Sequence, residues 1–286
     1  MASGWIGRGV CAAAVAGALA GARPASAAAV TAAEVVSYTP GTAREDFRNS
    51  QAALVLPAGD TTFGALTPFN PPFKNDQIVI VGAGGEITLR LSAPVIPDAG
   101  SARELGVFVN NGLIDVSPGG TGTAGRPAST FSPLPTARVS LSGDGSQYVP
   151  LAGGAMVTFD NPTNFYTDTS IDNYFAPLGT KPADFSKPFL GTQSDFSGLT
   201  YPQMVDLLGG SGGGTWLDLS RTGLPAVQYV RFEVPAGENA RFVLDAVTAV
   251  PEPGAAAVVV APMFAVLARR SRRNPRRAEG ASPCGR

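Results

Sequence analysis

Ile87, Leu89 and Leu91 alternate with Glu86, Thr88 and Arg90 in the stretch Glu86-Ile-Thr-Leu-Arg-Leu91. A period of two sends the apolar set to one face of an extended chain and the polar set to the other, so this segment reads as an antiparallel strand with one wet side. Short strand signals return at residues 77–81, 105–109, 137–142, 155–159, 227–234 and 241–247, punctuated by glycine and proline. Gly82-Ala-Gly-Gly85 reads as a hairpin turn between 78–81 and 86–91, and Asp144-Gly145 as another between 139–141 and 147–149. The glycines at 82–85 form no phosphate loop, because no Gly-Lys-Ser/Thr follows them.

Only one helix is indicated. Thr200 is a cap-like residue before Tyr201-Pro202, the apolar positions Met204, Val205, Leu207 and Leu208 follow, and Gly209-Gly210 ends the run. Residues 117–135 and 161–198 read as long loops. Many strands with no strand–helix–strand rhythm predict an all-β body, an antiparallel two-sheet sandwich of jelly-roll type with one short helix and long loops.

The two ends have a different character. Arg8 precedes the apolar run 10–22, and Ala25-Ser26-Ala27 supplies the small residues of a signal-peptidase site, so residues 1–27 are expected to be a signal peptide. At the other end Val250-Pro-Glu-Pro253 is followed by the uncharged stretch 254–268 and then Arg269, Arg270, Arg272, Arg273, Arg276 and Arg277. As a helix those 15 residues reach roughly 22 Å, a marginal crossing of a hydrocarbon core about 30 Å thick. Six arginines hold that end on the cytoplasmic side and leave the body outside. Motif, apolar helix and basic end in this order resemble the PEP-CTERM sorting signal of exported bacterial proteins. The resemblance implies an exosortase-type enzyme that removes the tail during export, with transient membrane anchoring through the C-terminal transmembrane helix. It divides the chain into a signal peptide (1–27), a body (28–249), a sorting signal (250–277) and a disordered tail (278–286).

Composition narrows the chemistry of the body. The only cysteines are Cys11 and Cys284, both in the terminal segments, and the chain has no histidine. Ser-His-Asp and Cys-His sites are therefore excluded, as are zinc sites with imidazole or thiolate ligands. No disulfide can form in the body, so its stability must come from packing. Between residues 28 and 250, 12 Lys and Arg face 20 Asp and Glu, a net of −8 that repels phosphate backbones and argues against nucleic acid as a partner.

Carboxylate chemistry is what remains. Asp160, Asp168 and Asp172, with Asn161, Asn164 and Asn173 between them and Phe165, Tyr166, Tyr174 and Phe175 close by, suit a calcium-stiffened loop, a sugar-binding surface or simply a solvated loop rich in turn formers. Trp216, two residues before Asp218, is a further candidate for sugar contact or for the core, and Asp245 in Phe242-Val-Leu-Asp-Ala-Val247 is expected on a solvent face or against a backbone group. The segments Gly82-Ala-Gly-Gly-Glu-Ile-Thr-Leu-Arg-Leu91, Leu105-Gly-Val-Phe-Val-Asn110, Val139-Ser-Leu-Ser-Gly-Asp-Gly145, Val227-Gln-Tyr-Val-Arg-Phe232 and Leu244-Asp-Ala-Val247 are similar, in that order, to exported cell-surface proteins that resemble the galactose-binding-like (discoidin-like) jelly roll. That resemblance implies carbohydrate recognition, with polysaccharide as a partner, and the chain is expected to have a structural or adhesive role in the envelope or extracellular matrix with no catalytic residues; a purely structural surface-layer component without a ligand stays open. The expected partners are signal peptidase, the exosortase-type enzyme and the membrane; no cofactor is expected, calcium being the one metal left open. The alternative expectation is a glycoside hydrolase or lyase with paired carboxylates in a groove.

Overall fold

The computed structural model describes residues 29–98, 100, 103–117, 120–169 and 177–250. The predicted signal peptide, Pro251, Glu252 and Pro253 of the sorting motif, the apolar and arginine-rich segments after it, and Asp172 lie outside the described residues. Val250 is described and packs at the edge of an aromatic cluster. No helix among the described residues is long and apolar enough to cross a membrane.

The first strands are β1 (Val30–Thr39), the short pair β2 (Asp60–Thr61) and β3 (Gly64–Ala65), then β4 (Val79–Val81), β5 (Gly85–Val95), β6 (Leu105–Val109), β7 (Gly112–Asp115) and β8 (Ala124–Ala128). They are followed by β9 (Thr136–Ser142), β10 (Val149–Pro150), β11 (Met156–Thr158), helix α1 (Tyr201–Leu208), β12 (Thr215–Leu217), β13 (Val227–Val234) and β14 (Phe242–Ala249). The body is all-β, and every pairing between its named strands is antiparallel.

Strand β1 explains how the main sheet curls on itself. Val30 and Thr31 pair with Ala249 and Thr248 of β14, whereas Ala32 to Thr39 pair with β5. Irregularities between Ala32 and Glu34 and between Val35 and Ser37 bend the strand as it crosses over, as bulges do. On one side of this bend lie β4, β14, β6 and β12, and on the other β5, β13 and β9 with β10 and β11. The two halves face each other across one core. Val81, Val107, Phe242 and Leu244 come from the first half; Ile87, Leu89, Val139 and Phe232 come from the second. Phe159 joins Phe232 and Phe242 with ring centroids 6.0 and 5.0 Å away, and those two rings stack at 4.5 Å.

The halves differ in what covers their outer faces, and the sequence pattern follows that difference. In β5 and β13 the outward residues are polar and mostly half-exposed: Arg90 pairs with Glu34 at 2.6 Å, the Arg231 guanidinium lies 4.0 Å from the Tyr148 ring centre, and Thr88 is buried and accepts from Arg231 Nε at 3.1 Å. Period-two alternation survives there. All eight residues of β14 and all five of β6 are buried, because a second layer covers their backs. Phe108 and Ala246 pack under Phe185, Phe196, Met204 and Leu208, while Ile80 and Val243 pack under Phe47 and Phe131. A strand buried on both faces loses its alternation and becomes a continuous apolar run.

Helix α1 is the predicted one. Gln203 Oε1 accepts the Thr200 N–H at 2.9 Å, and Gly209 closes the helix in the left-handed conformation at φ 57°. Asp144-Gly145 turns β9 back onto β10, with Val149 opposite Leu141. Asp144 accepts the N–H groups of Ser146 and Gln147, which hold its carboxyl far below the usual range.

Three expectations need correction. Gly82 to Gly85 do not close a hairpin: β4 pairs with β14, while β5 pairs with β1 and β13, so the turn carries the chain between the two halves. A β-carbon at Gly82 would stand 2.5 Å from Ala43 N, which explains the glycine without a hairpin. The loop predicted over 117–135 contains β8, paired with β7. Finally, Asp245 is on neither a solvent face nor a sheet edge; it is fully buried beside a bulge in β14, where the Ala58 N–H is the backbone group set against it.

Candidate functional site

Four separate segments converge on a cleft of about 430 Å³ at the free edge of β12. Arg103 comes from the approach to β6, Asp160 and Asn161 from the segment after β11, and Thr192 from the long loop. Trp216 comes from β12 and Asp218 from the turn after it. The volume lies within the ~300–1,000 Å³ of small-ligand pockets.

Each wall is held by contacts that leave some polar atoms unused. Asp160 is anchored through its backbone carbonyl, which accepts from Asn111 Nδ2. Its half-buried side chain has a raised pKa because burial penalises the carboxylate, only partly offset by its own backbone N–H. Asp218 is shifted the other way: the Ser220 hydroxyl donates to it at 2.5 Å and lowers its pKa, with the Ser220 N–H and Arg221 adding to the effect. Arg103 Nη1 donates to the carbonyls of Phe189 and Gly191 at 3.1 and 3.0 Å and so staples the long loop to the cleft wall. Asp195 accepts the Thr192 N–H at 2.7 Å and fixes the lip.

Unsatisfied oxygens belong to the same wall. Asn161 Oδ1 and Thr215 Oγ1, both from residues that line the cleft, are buried without a hydrogen-bond partner, as is Oδ1 of Asn111, whose Nδ2 holds the Asp160 carbonyl. Asn161 is only 5% exposed, and its Nδ2 makes a long contact of 3.5 Å to Gly191 O. Buried polar atoms are normally paired, so these mark a place that bound water or a ligand completes.

The structure separates residues that the sequence had grouped. Asp160 and Trp216 meet in the cleft, whereas Asp168 lies elsewhere and clamps a turn: it accepts the N–H groups of Thr180 and Lys181 at 3.0 Å and the Thr180 hydroxyl at 2.5 Å, and its pKa is lowered as a result. Among the described residues no group of three or more Asp, Glu, His or Cys is arranged to hold a metal. Phe165 and Tyr166 are not a surface platform; their rings meet at 4.7 Å and Phe165 packs on Phe185 at 5.2 Å. Trp216 is 4% exposed, and its Nε1 donates to Gly213 O at 2.9 Å. A β-carbon at Gly106 would stand 2.8 Å from the indole, so the glycine makes room for a ring that serves the core and shows the cleft very little of its surface.

The layer that covers β6 and β14 contains a buried polar contact that can be tested. The Tyr201 hydroxyl donates to Asn164 Oδ1 at 2.9 Å with both residues buried, and burial raises the phenol's pKa far above its usual value. Tyr201→Phe leaves Asn164 without its donor and is expected to cost about 1–3 kcal/mol in urea unfolding. An unchanged midpoint would mean that water replaces the hydroxyl.

Arg103, Thr192 and Thr215 were not singled out from sequence, and nothing local distinguishes them. The comparisons with known proteins give no match to a family model and none to a curated protein.

Proposed function

We propose that this chain is an exported, surface-targeted protein with a structural or adhesive role in the envelope or extracellular matrix, and that its body recognises carbohydrate through the cleft between Asp160 and Trp216. The observation that carries the binding reading is the cleft itself. It gathers carboxylates, amides and hydroxyls around a partly aromatic wall and leaves buried acceptors unpaired, the mixture that hydroxyl-bearing ligands complete. The curled, sandwich-like all-β body is read as a jelly roll, an architecture shared by many binding modules, so this part of the argument is analogy. Calcium remains an optional addition.

Sorting rests on the terminal sequences. Intact-mass measurement of the protein from the membrane and external fractions of its host is expected to find a mature species lacking about the first 27 residues and everything beyond the 250–253 region. A membrane species that keeps Arg269 to Arg277 would replace the sorting reading with permanent anchoring.

For the binding role, the purified protein is expected to be retained on immobilised polysaccharide and released by soluble oligosaccharide. No retention across plant, algal and bacterial polysaccharides would leave a purely structural component. One observation favours a second reading as a glycoside hydrolase or lyase: Asp160 and Asp218 share the cleft with pKa values pushed in opposite directions. New reducing ends or unsaturated products in the same incubations, lost in Asp160→Asn, would establish it.

A further inference from the structure

We propose that the cleft selects uncharged, hydroxyl-rich glycans over uronates and sulfated sugars, with Asn161 Oδ1 and Thr215 Oγ1 receiving ligand hydroxyls; this rests on the carbohydrate-binding reading. Asn161 Oδ1 and Thr215 Oγ1 are buried without partners and both residues line the cleft. An amide oxygen can only accept, so a hydrogen-bond donor has to come from outside the protein. Asp160 adds a desolvated carboxyl to the same wall. The ligand must therefore bring donors.

Charge then separates the classes of glycan. Among the described residues lining the cleft Arg103 is the one cation, and its Nη1 is engaged by the carbonyls of Phe189 and Gly191. Two aspartates, Asp160 and Asp218, face the same space. Arg221 stands 3.8 Å from Asp218 on an 89% exposed side chain and gives the wall little positive potential. A uronate or sulfate would meet two carboxylates and a single guanidinium that is already partly engaged. A neutral sugar meets acceptors. Trp216 is 4% exposed and offers no open ring face, so recognition proceeds through hydrogen bonds rather than by stacking.

The test is titration calorimetry on the whole protein with three sets of probes: neutral xylo-, gluco- and galacto-oligosaccharides; oligogalacturonates and sulfated galactose oligomers; and calcium chloride alone. Binding by at least one neutral series is expected, together with a loss of about 3–10-fold in Asn161→Leu, which removes an acceptor that no protein group uses. Thr215→Val carries the same comparison if Asn161→Leu fails to fold. Charged oligomers bound as tightly as neutral ones, in an Asn161-dependent manner, would overturn the selectivity and leave carbohydrate binding standing. No binding by either glycan class would overturn both. Calcium binding that Asn161→Leu abolishes would assign the orphan oxygens to a cation and overturn the proposal.

Discussion

Phe242→Ala is expected to lower the unfolding free energy by about 3–5 kcal/mol, read as a fall in the urea midpoint with little change in slope. Phe242, Phe159 and Phe232 are all fully buried, and their rings meet where the two halves of the curled sheet oppose each other. Truncating the ring removes its burial and opens a cavity that neighbours in regular strands cannot collapse to fill. The body has no cysteine, so no crosslink limits the loss. Leu190→Ala serves as the control: that side chain is 65% exposed, and its removal is expected to change stability by no more than ~0.5 kcal/mol. Similar midpoints for the two variants would show that the aromatic cluster does not hold the halves together.

Asp245→Asn is expected to change the pH dependence of stability. Burial raises the Asp245 pKa well above 3.8; both carboxyl oxygens lack a partner of normal geometry, and the Ala58 N–H offsets the penalty only in part. Above about pH 3.8 the unfolded chain releases this proton and the folded chain keeps it, so the group makes the fold less stable as pH rises. The slope from this one group approaches 1.4 kcal/mol per pH unit and ends once pH passes the folded-state pKa. Its contribution is fully present below the unfolded value. Asparagine has nothing to titrate, so the variant should gain on the parent as pH rises above about 3.8, and the gap should close as pH falls back to that value. Asp168 and Asp218, with lowered pKa values, act in the opposite sense at acid pH, but both proteins share them and they cancel in the difference. Parallel stability curves would show that Asp245 is already ionised in the folded chain.

How far the sequence reveals the fold depends on where each strand lies. Glu86 to Leu91 are legible because one face is apolar core and the other carries Glu86, Thr88 and Arg90 among polar neighbours. The run from Phe242 to Ala249 is legible as a strand, but double burial hides its position at the centre and makes Asp245 look like an outward residue in an apolar string. Strand β1 escaped notice because its two irregularities break the alternation of Val30 to Thr39 and because it serves two halves in turn. Gly82 to Gly85 look like a hairpin loop to any local rule; that β4 and β5 belong to different halves is a tertiary fact.

The site shows the same division. Asp160 and Trp216 were visible as residue types, yet the sequence cannot show that they share a wall with Arg103 and Thr192, each supplied by another segment. Asp168 is a near neighbour of Asp160 along the chain, but it is drawn away by the amides of Thr180 and Lys181. Nor can a pattern reveal an unpaired oxygen such as Asn161 Oδ1, since that property belongs to what its surroundings fail to provide.

Val30 and Ala249 stand opposite each other on neighbouring strands, so the described chain enters and leaves at one end of the sheet. Tension applied between those two points would peel β1 from β14 rung by rung, because rungs perpendicular to neighbouring strands fail in sequence when both are pulled from the same end. Only Val30 and Thr31 make that pairing before the strand crosses to β5. As one link in a stretched fibre, the body would give way first at this seam; hung from a surface by one end, it would never feel the load.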